Sequence, residues 1–592
     1  MVTMTTDAAW MEVPGTELLT PAALPQVVAA PCAALRDPGE ASGDALELAR
    51  ALGLSITVAD VLFRSGRGAD EATKIFLEPR LAHLTPPDAM ADRELSADRI
   101  ARAVRAKERI AVFGDYDCDG ITSAAIVTEV LRALGGEVVP LLATRKEGSY
   151  GLSMRALARV KATGASLLVT CDCGSSDHER LAAARAAGMD VVVIDHHLVP
   201  DEPLPALAFL NPHRPECGFP FKGLASCGLA LSLGAAVRRA LGAQLDMRTW
   251  LDLVAIGTVA DVAPLVGDNR ALVRAGLAVL SQGARPGLRA LAELAKVDLP
   301  HGVSADDIAY RIAPRINAPG RLGDPDLALE LLLERDAARA AGLAATIEQL
   351  TVRRRELQEK MVAEALREID AARWGDEPGI VIAREGWHPG IVGIVAGRIA
   401  SKYGRPTIAV ALEGGSGRGS VRGPSGFPLH DALGLCRDGL VGFGGHQAAA
   451  GVEVRGERVE ALRALWCAAC ASLGARLGPV EEPEADVRLD DRDEPAVVVK
   501  DLERLEPCGQ GNRAPRVLVR GAPVRVSKPV KGHLKLEVAL RRHVIGAFGY
   551  ELGGLAAGLA GGRVDIVGRL RRDTFRGGSA VEMRIERVMR SS

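Results

Sequence analysis

Three carboxylates at alternate positions, Asp115, Asp117 and Asp119, follow an apolar run and close on Gly120. Anions crowded in this way repel one another unless cations sit among them. On an extended strand end a period of two would point all three the same way, which is the expectation here. The same D-x-D-x-D-G spacing opens a helix-flanked calcium loop. That reading fails because the twelfth position would be Ile126 instead of a bidentate glutamate, and a strand-like run precedes the acids. Farther along, Asp172 ends the run ASLLVTCD, Asp195, His196 and His197 end MDVVVIDHH, and Asp261 lies within GTVADVAPL. Singly, a strand-end aspartate is often a helix cap and a histidine pair often only a satisfied loop. Together they combine carboxylate with imidazole, a set suited to manganese or magnesium and not to structural zinc, which prefers thiolate. The acids outnumber the needs of one ion, so two ions with a shared ligand are expected. Such a pair activates water and stabilises both the attacking and the leaving oxygen at phosphorus.

A second set of candidates lies in Ser416-Gly417-Arg418-Gly419-Ser420. The segment is either a flexible linker or a phosphate cradle. Glycines let backbone N–H groups approach an anion, and Arg418 offers a fork of donors. Arg418 and Arg422 inside an α/β pattern favour the cradle.

These residues need a scaffold. Short runs rich in Val, Ile and Leu (ERIAVFGDYD, GEVVPLLAT, ASLLVTCDCG, MDVVVIDHH, PALAFLNP) are mostly separated by helical stretches. Continuous apolar strands alternating with helices predict a parallel sheet covered on both faces, with Asp115, Asp172 and Asp195 at the carboxyl edge where such sheets bind ligands. The fold class expected is therefore α/β. At 592 residues several domains are required. Residues 1–75 read as an N-terminal segment, loosely ordered to about 45 and then helical, and 76–335 as the parallel-sheet domain. A long helix, very polar at its centre TVRRRELQEK, follows over 336–373 and is expected to bridge domains through solvent. A second α/β unit spans 374–480, an acidic linker 481–495, and a small barrel or sandwich of alternating strands 496–592.

Net charge is only −2, but residues 497–592 hold 19 Lys and Arg against 9 Asp and Glu, leaving the other 496 residues about −12. That asymmetry hints at an anion-binding module. The N-terminus shows no basic region followed by an apolar core, and no apolar run is long enough to span a bilayer, so a cytoplasmic protein with no membrane association is expected. Cys467 and Cys470 form a C-x-x-C, but within an amphipathic helix and without a partner pair at zinc spacing, so packing cysteines are expected.

DYDCDG, VTCDCG, VIDHH and GTVADVAPL together resemble the four motifs of the DHH phosphoesterase family. Within it the chain is similar to the branch of single-strand-specific DNA exonucleases. The likeness continues through APRINAPGRLG (313–323), GWHPGIVGIVAGRIASKYGRPTIAV (386–410), SGRGSVRG (416–423), GFGGHQAAAG (442–451) and LEPCGQGN (505–512), thus over about residues 55–590 in one order. The resemblance implies a DHH parallel-sheet domain, a DHH-associated domain facing it across a cleft, and a C-terminal oligonucleotide-binding barrel. It implies metal ligation by Asp117, Asp119, Asp172, His196 and Asp261, with Asp115 and His197 completing the catalytic set as ligands or substrate-facing groups. Ser416 and Arg418 would hold a terminal 5′-phosphate, Arg145 and Arg321 would line the same cleft, and His446 would contact the scissile region unless it only steadies a glycine-rich turn. Cys173 stands where the family often has Asn, and SGFPLHDAL departs slightly from the usual pattern. The activity implied is a 5′→3′ exonuclease on single-stranded DNA using two Mn2+ or Mg2+ ions and releasing 5′-mononucleotides in DNA repair and recombination. Single-stranded DNA is the partner implied, with a single-strand-binding protein and a repair helicase as further candidates, and a monomer is expected. Two rivals are a relative cleaving short oligoribonucleotides or cyclic dinucleotides, which chain length disfavours, and a non-catalytic replication scaffold, which the intact acidic set disfavours.

Overall fold

The computed structural model describes residues 36–147, 150–445, 449–474, 485–573 and 580–591. Its first sheet contains β1 (Arg109–Gly114), β2 (Glu137–Leu142), β3 (Leu167–Cys171), β4 (Asp190–Ile194) and β5 (Ala208–Leu210), all parallel, in the order β2-β1-β3-β4-β5. Alternate residues of β1 enter two different cores. Ile110 and Val112 join one cluster, while Ala111 and Phe113 join another on the opposite face. A strand buried on both sides needs apolar residues throughout, which is why these runs are continuous. Residues 226–333 are almost entirely helical and pack on the larger of the two cores.

The expectation that Asp115, Asp117 and Asp119 share a strand face is corrected by the structure. β1 ends at Gly114, Asp117 caps a helix by accepting the Gly120 N–H (3.1 Å), and Asp119 already lies inside that helix, Cys118–Ala133. The short aspartate side chain competes for backbone donors and so favours a cap over a continued strand.

The long helix spans Ala337–Ala372. Its first half gives Ala340, Ala344 and Ile347 to the first domain's core, and its second half gives Met361, Ala365 and Ile369 to the next. Thr351, Arg354 and Gln358 at its polar centre are buried, so the helix lies between two domains and does not cross open solvent. The second α/β unit is a mixed sheet, β6 (Ile380–Glu385), β7 (Thr407–Glu413), β8 (Ser416–Arg422), β9 (Gly442–Gly445) and β10 (Ala449–Arg455), ordered β6-β7-β8-β10-β9.

The C-terminal module contains β11 (Val487–Arg488), β12 (Val517–Val530), β13 (His533–Ala539), β14 (Val544–Gly549), β15 (Arg563–Arg572) and β16 (Val581–Arg590). Pairing of β12 with β15 closes β12-β13-β14-β16-β15 into a five-stranded barrel. Two expectations about its surroundings change. β11 falls within the acidic stretch read as a linker and pairs with β12, because Val487 and Leu489 alternate into the barrel core. The helices Gly43–Leu52, Ile56–Arg64 and Glu71–Leu77 also bury Leu48, Val58, Leu62 and Leu77 in that core, so the two ends of the chain share one hydrophobic cluster. Asp493 accepts the backbone N–H groups of Ile56 and Thr57, and Asp501 that of Ser55. No described helix is long and apolar enough to cross a membrane.

Candidate metal and phosphate site

At the carboxyl edge of the first sheet the chain leaves β1, β3 and β4 in tight turns that aim acids inward. Asp172 follows β3 in the left-handed region (φ 62°), a strained position for a residue with a side chain. Asp195 follows β4. Its Oδ1 lies 2.6 Å from His197 Nδ1 and accepts the His196 N–H, while Oδ2 accepts the Ser175 N–H. Burial works against its charge. The hydrogen bonds with His197 and Ser175 overcome this and hold its pKa well below the usual carboxylate range. Asp195 thereby fixes the orientation of the His197 ring, the second-layer role a carboxylate plays behind a ligating imidazole. Asp261 ends the helix Leu251–Ala260. Gly257 on that helix leaves Asp119 room: a Cβ there would sit 2.7 Å from Asp119 Oδ1.

Two groups of ligand atoms result: Asp172 with His196 and His197, and Asp119 with His196 and Asp261. His196 belongs to both. Its Nε2 lies 3.3 Å from Asp172 Oδ1 and 3.7 Å from Asp261 Oδ2, buried and without a well-formed hydrogen bond among the described residues. Asp115 is also fully buried, and its Oδ2 has no partner among the described residues while Oδ1 accepts the Gly151 N–H. Without cations the cluster clings to protons. Burial and neighbouring acids raise Asp115 and Asp172 well above the ordinary carboxylate value, burial raises Asp119, and Asp261 is pushed up to about 7, chiefly by burial. For His196, burial opposes the charge, but Asp172, Asp261 and Asp119 outweigh it and raise its pKa well above the ordinary value. Orphaned buried donors and acceptors amid surplus acid fit a pair of divalent cations. Of the seven residues expected here, five form these groups. Asp115 and Asp117 lie beside them.

A positive cluster abuts the acids across Tyr116. The Arg145 guanidinium lies over the Tyr116 ring (4.1 Å to its centre), and Arg145 Nε donates to the Gly320 carbonyl. Arg321 donates to the Gly390 carbonyl (3.1 Å). Burial, together with Arg145, Arg354 and Arg422, pushes Arg321 down to about 9. Arg422 is likewise lowered by burial and by Arg145, and donates to Ser420 Oγ (2.8 Å). Arg354 is 3% exposed, and its Nε and Nη2 have no partner among the described residues. Like charges converging in this way, with no salt bridge to a carboxylate among the described residues, suit an anion.

The resemblance implies Ser416 and Arg418 as the phosphate holders, and the structure sets both apart from this arginine cluster. Both residues share the β8 face with Ser420 and Arg422, but they lie at the opposite end of the strand. Arg418 is exposed, with a carboxylate of its own, Glu453, at 3.6 Å. Ser420 and Arg422 instead sit under Gly393, at the start of the helix Val392–Tyr403. S-x-R occurs twice in SGRGSVR, and the second copy is the one that meets the neighbouring helix. His446 lies outside the described residues. Cys470 lies in the core of the second α/β unit, and Cys467 Sγ donates to the Gly379 carbonyl (3.0 Å).

Comparison with known proteins accords with this geometry. The DHH family N-terminal domain matches residues 109–258, the DHHA1 domain 376–472 and the RecJ OB domain 485–587. The chain is 33% identical to the single-stranded-DNA-specific exonuclease RecJ of Bacillus subtilis, over 88% of this chain and 66% of that protein. It is 35% identical to the protein of the same name from Thermus thermophilus, over 86% and 72%. The match therefore spans just under two thirds of the Bacillus protein's length and somewhat more of the Thermus one. A crystal structure of RecJ from Thermus thermophilus in complex with Mn2+ superposes with a TM-score of 0.78 at 33% identity, covering 93% of this chain and 78% of that one. A crystal structure of exonuclease RecJ bound to manganese gives 0.58 at 36% identity, covering 66% and 97%. On these findings the chain belongs to the RecJ family.

Proposed function

We propose that this chain is a metal-dependent exonuclease that takes single-stranded DNA from its 5′ end and releases 5′-mononucleotides, serving DNA repair and recombination in the cytoplasm. The observation that carries the reading is the meeting, across Tyr116, of an acid–imidazole cluster with a cluster of converging arginines. Asp119, Asp172, His196, His197 and Asp261 would hold two Mn2+ or Mg2+ ions, with Asp117 and Asp115 at their margin. Bound there, such ions supply a water of lowered pKa and neutralise charge on the phosphoryl oxygens. The chain's own groups position the strand. Arg145, Arg321 and Arg422 take a terminal phosphate through charge-assisted forks, and Ser420 adds a hydroxyl. Gripping a 5′-phosphate there presents the next phosphodiester to the acids, which sets both the polarity and the one-nucleotide product.

The barrel supports strand binding. Phe548 lies 5.5 Å from His533 and 5.0 Å from Tyr550, ring centre to ring centre, and Arg584 lies 5.3 Å from the centre of the Tyr550 ring. An aromatic group with basic neighbours on an oligonucleotide-binding barrel suits a stacked base. The reading is tested by incubating the protein with manganese and 5′-labelled single-stranded DNA, duplex DNA and short RNA in parallel. Mononucleotide release from the single strand, lost in Asp119→Asn, is the expected result. Equal turnover of all three substrates, or undiminished activity of the variant, overturns it.

A further inference from the structure

The two ligand groups are tied together by an element that no motif singled out, the first turn of the helix Ser226–Leu241. Ser226 is fully buried. Its backbone N–H donates to Asp119 Oδ2 (2.7 Å), and the Cys227 N–H donates to Asp119 Oδ1 (3.0 Å). Its hydroxyl donates to Asp172 Oδ1 (2.9 Å). One residue thus holds one acid from each group, and those acids follow neighbouring strands, Asp119 after β1 and Asp172 after β3. The other oxygen of Asp172 accepts from the Tyr150 hydroxyl (3.0 Å), so this strained residue is clamped from both sides. The N–H groups at a helix start have no intrahelical partner and carry partial positive charge, so they can hold a carboxylate without neutralising it.

We propose that Ser226 is a positioning residue that sets the spacing between the two ion-holding groups: the hydroxyl fixes Asp172 relative to Asp119, which the same residue's N–H fixes. This rests on the reading of the acids as ligands of a metal pair. Removing the hydroxyl leaves both backbone bonds to Asp119 in place and releases only Asp172 Oδ1, with Oδ2 still held by Tyr150. One ion's site therefore loosens while the other keeps its ligands. A partner behind a metal ligand of this kind typically changes affinity by about 10–100-fold when lost.

The test uses the full chain and Mn2+ alone. Mn2+ binding to the wild type, Ser226→Ala, Ser226→Gly and Asp119→Asn is followed by calorimetry. The exchange-coupled signal of a manganese pair is followed by electron paramagnetic resonance. Circular dichroism identifies the serine variant that keeps the fold, and glycine serves where alanine does not. Expected for Ser226→Ala is one site weakened by about tenfold or more, loss of the coupled signal at Mn2+ levels that saturate the wild type, and a reduced kcat with KM for the strand unchanged. Two wild-type-like binding steps with an intact coupled signal would overturn the positioning role. Should Asp119→Asn also bind two ions as the wild type does, the metal reading itself fails, and the two failures are thereby told apart.

Discussion

Replacing Arg422 should do what the sequence alone would assign to Arg418. Arg422 is half-buried, its charge opposed by burial and by Arg145, with Ser420 Oγ and the Val421 carbonyl as its only hydrogen-bond acceptors among the described residues. Arg418 is 64% exposed and faces Glu453. A charge-assisted contact from a buried guanidinium to a phosphate contributes about 1.5–3 kcal/mol, or roughly 10–150-fold in affinity. A surface arginine already paired contributes on the order of a few tenths. The assay compares kcat/KM for 5′-phosphorylated and 5′-hydroxyl strands of one sequence. Arg422→Ala should lower the ratio by at least tenfold, and Arg418→Ala should leave it within about twofold. A second measurement separates binding from damage. Because Arg422 adds to an uncompensated positive cluster, Arg422→Ala should unfold no earlier than the wild type in the absence of DNA. The reverse ranking of the two variants, or an Arg422→Ala protein whose lost preference accompanies a collapsed fold, would refute the reasoning.

Two further outcomes follow from the charges and the barrel. Asp261, raised to about 7, and His196, raised above its ordinary value, both bind protons in the metal-free fold that the unfolded chain has released, so their contribution is present at low pH and lost as pH rises through the folded values. Asp195, held low, does not change above pH 5. With chelator the melting temperature should therefore fall between pH 5.5 and 8, whereas with Mn2+ the stabilisation should grow over that range, because ligands must shed their protons to bind; a chelated protein that grows more stable towards pH 8 would contradict this. On the barrel, Tyr550→Ala should weaken binding of a long single strand by about 1–3 kcal/mol while leaving cleavage of a trinucleotide unchanged, as read by fluorescence anisotropy and product release. Unchanged affinity would move the strand to another face.

The acids and the parallel sheet were legible because both are local patterns. Asp172 and Asp195 end short apolar runs rich in Val and Ile that alternate with helical stretches, the pattern of doubly covered strands. What escaped is what depends on packing between distant segments. Asp119 reads as a strand-end residue until the helix start at Cys118 is seen. Ser226 sits in the run GLASCGLALSL, which reads as plain core, and its contacts reach 107 and 54 residues back along the chain. The choice between Arg418 and Arg422 depends on the helix Val392–Tyr403, and the burial of Arg354 on domains at both ends of its helix. None of these leaves a periodicity.

The barrel is joined to the rest more firmly than its sequence suggests, and truncation shows what that implies. A chain cut near Glu482 retains every expected ligand and Arg422, and by sequence should keep its chemistry and lose only its basic module. The structure changes this expectation. Leu48, Val58, Leu62 and Leu77 would lose the barrel side of their shared core. Arg270, 2% exposed, donates to the carbonyls of Phe76, Arg504, Leu505, Glu506 and Pro507, and would lose four of those five acceptors. A hydrogen bond from a charged group contributes about 1.5–3 kcal/mol, so losing several is a large fraction of a domain's stability. The cut also removes the Gln510 carbonyl that accepts the Leu265 N–H (2.7 Å), four residues beyond Asp261. The single truncation should therefore aggregate or melt early. A chain of residues 78–474 carrying Arg270→Met removes the exposed helices and the stranded charge together, and should fold. Its binding to a long strand should then show a shallower salt slope than the full chain, by about 0.7 for each backbone contact the barrel had made. Melting curves of the two truncated proteins beside the full chain decide the matter. A chain cut only near Glu482 that stays monomeric and melts with the full-length protein would mean that the N-terminal helices and the Arg270 contacts contribute nothing, and that the barrel is a detachable module after all.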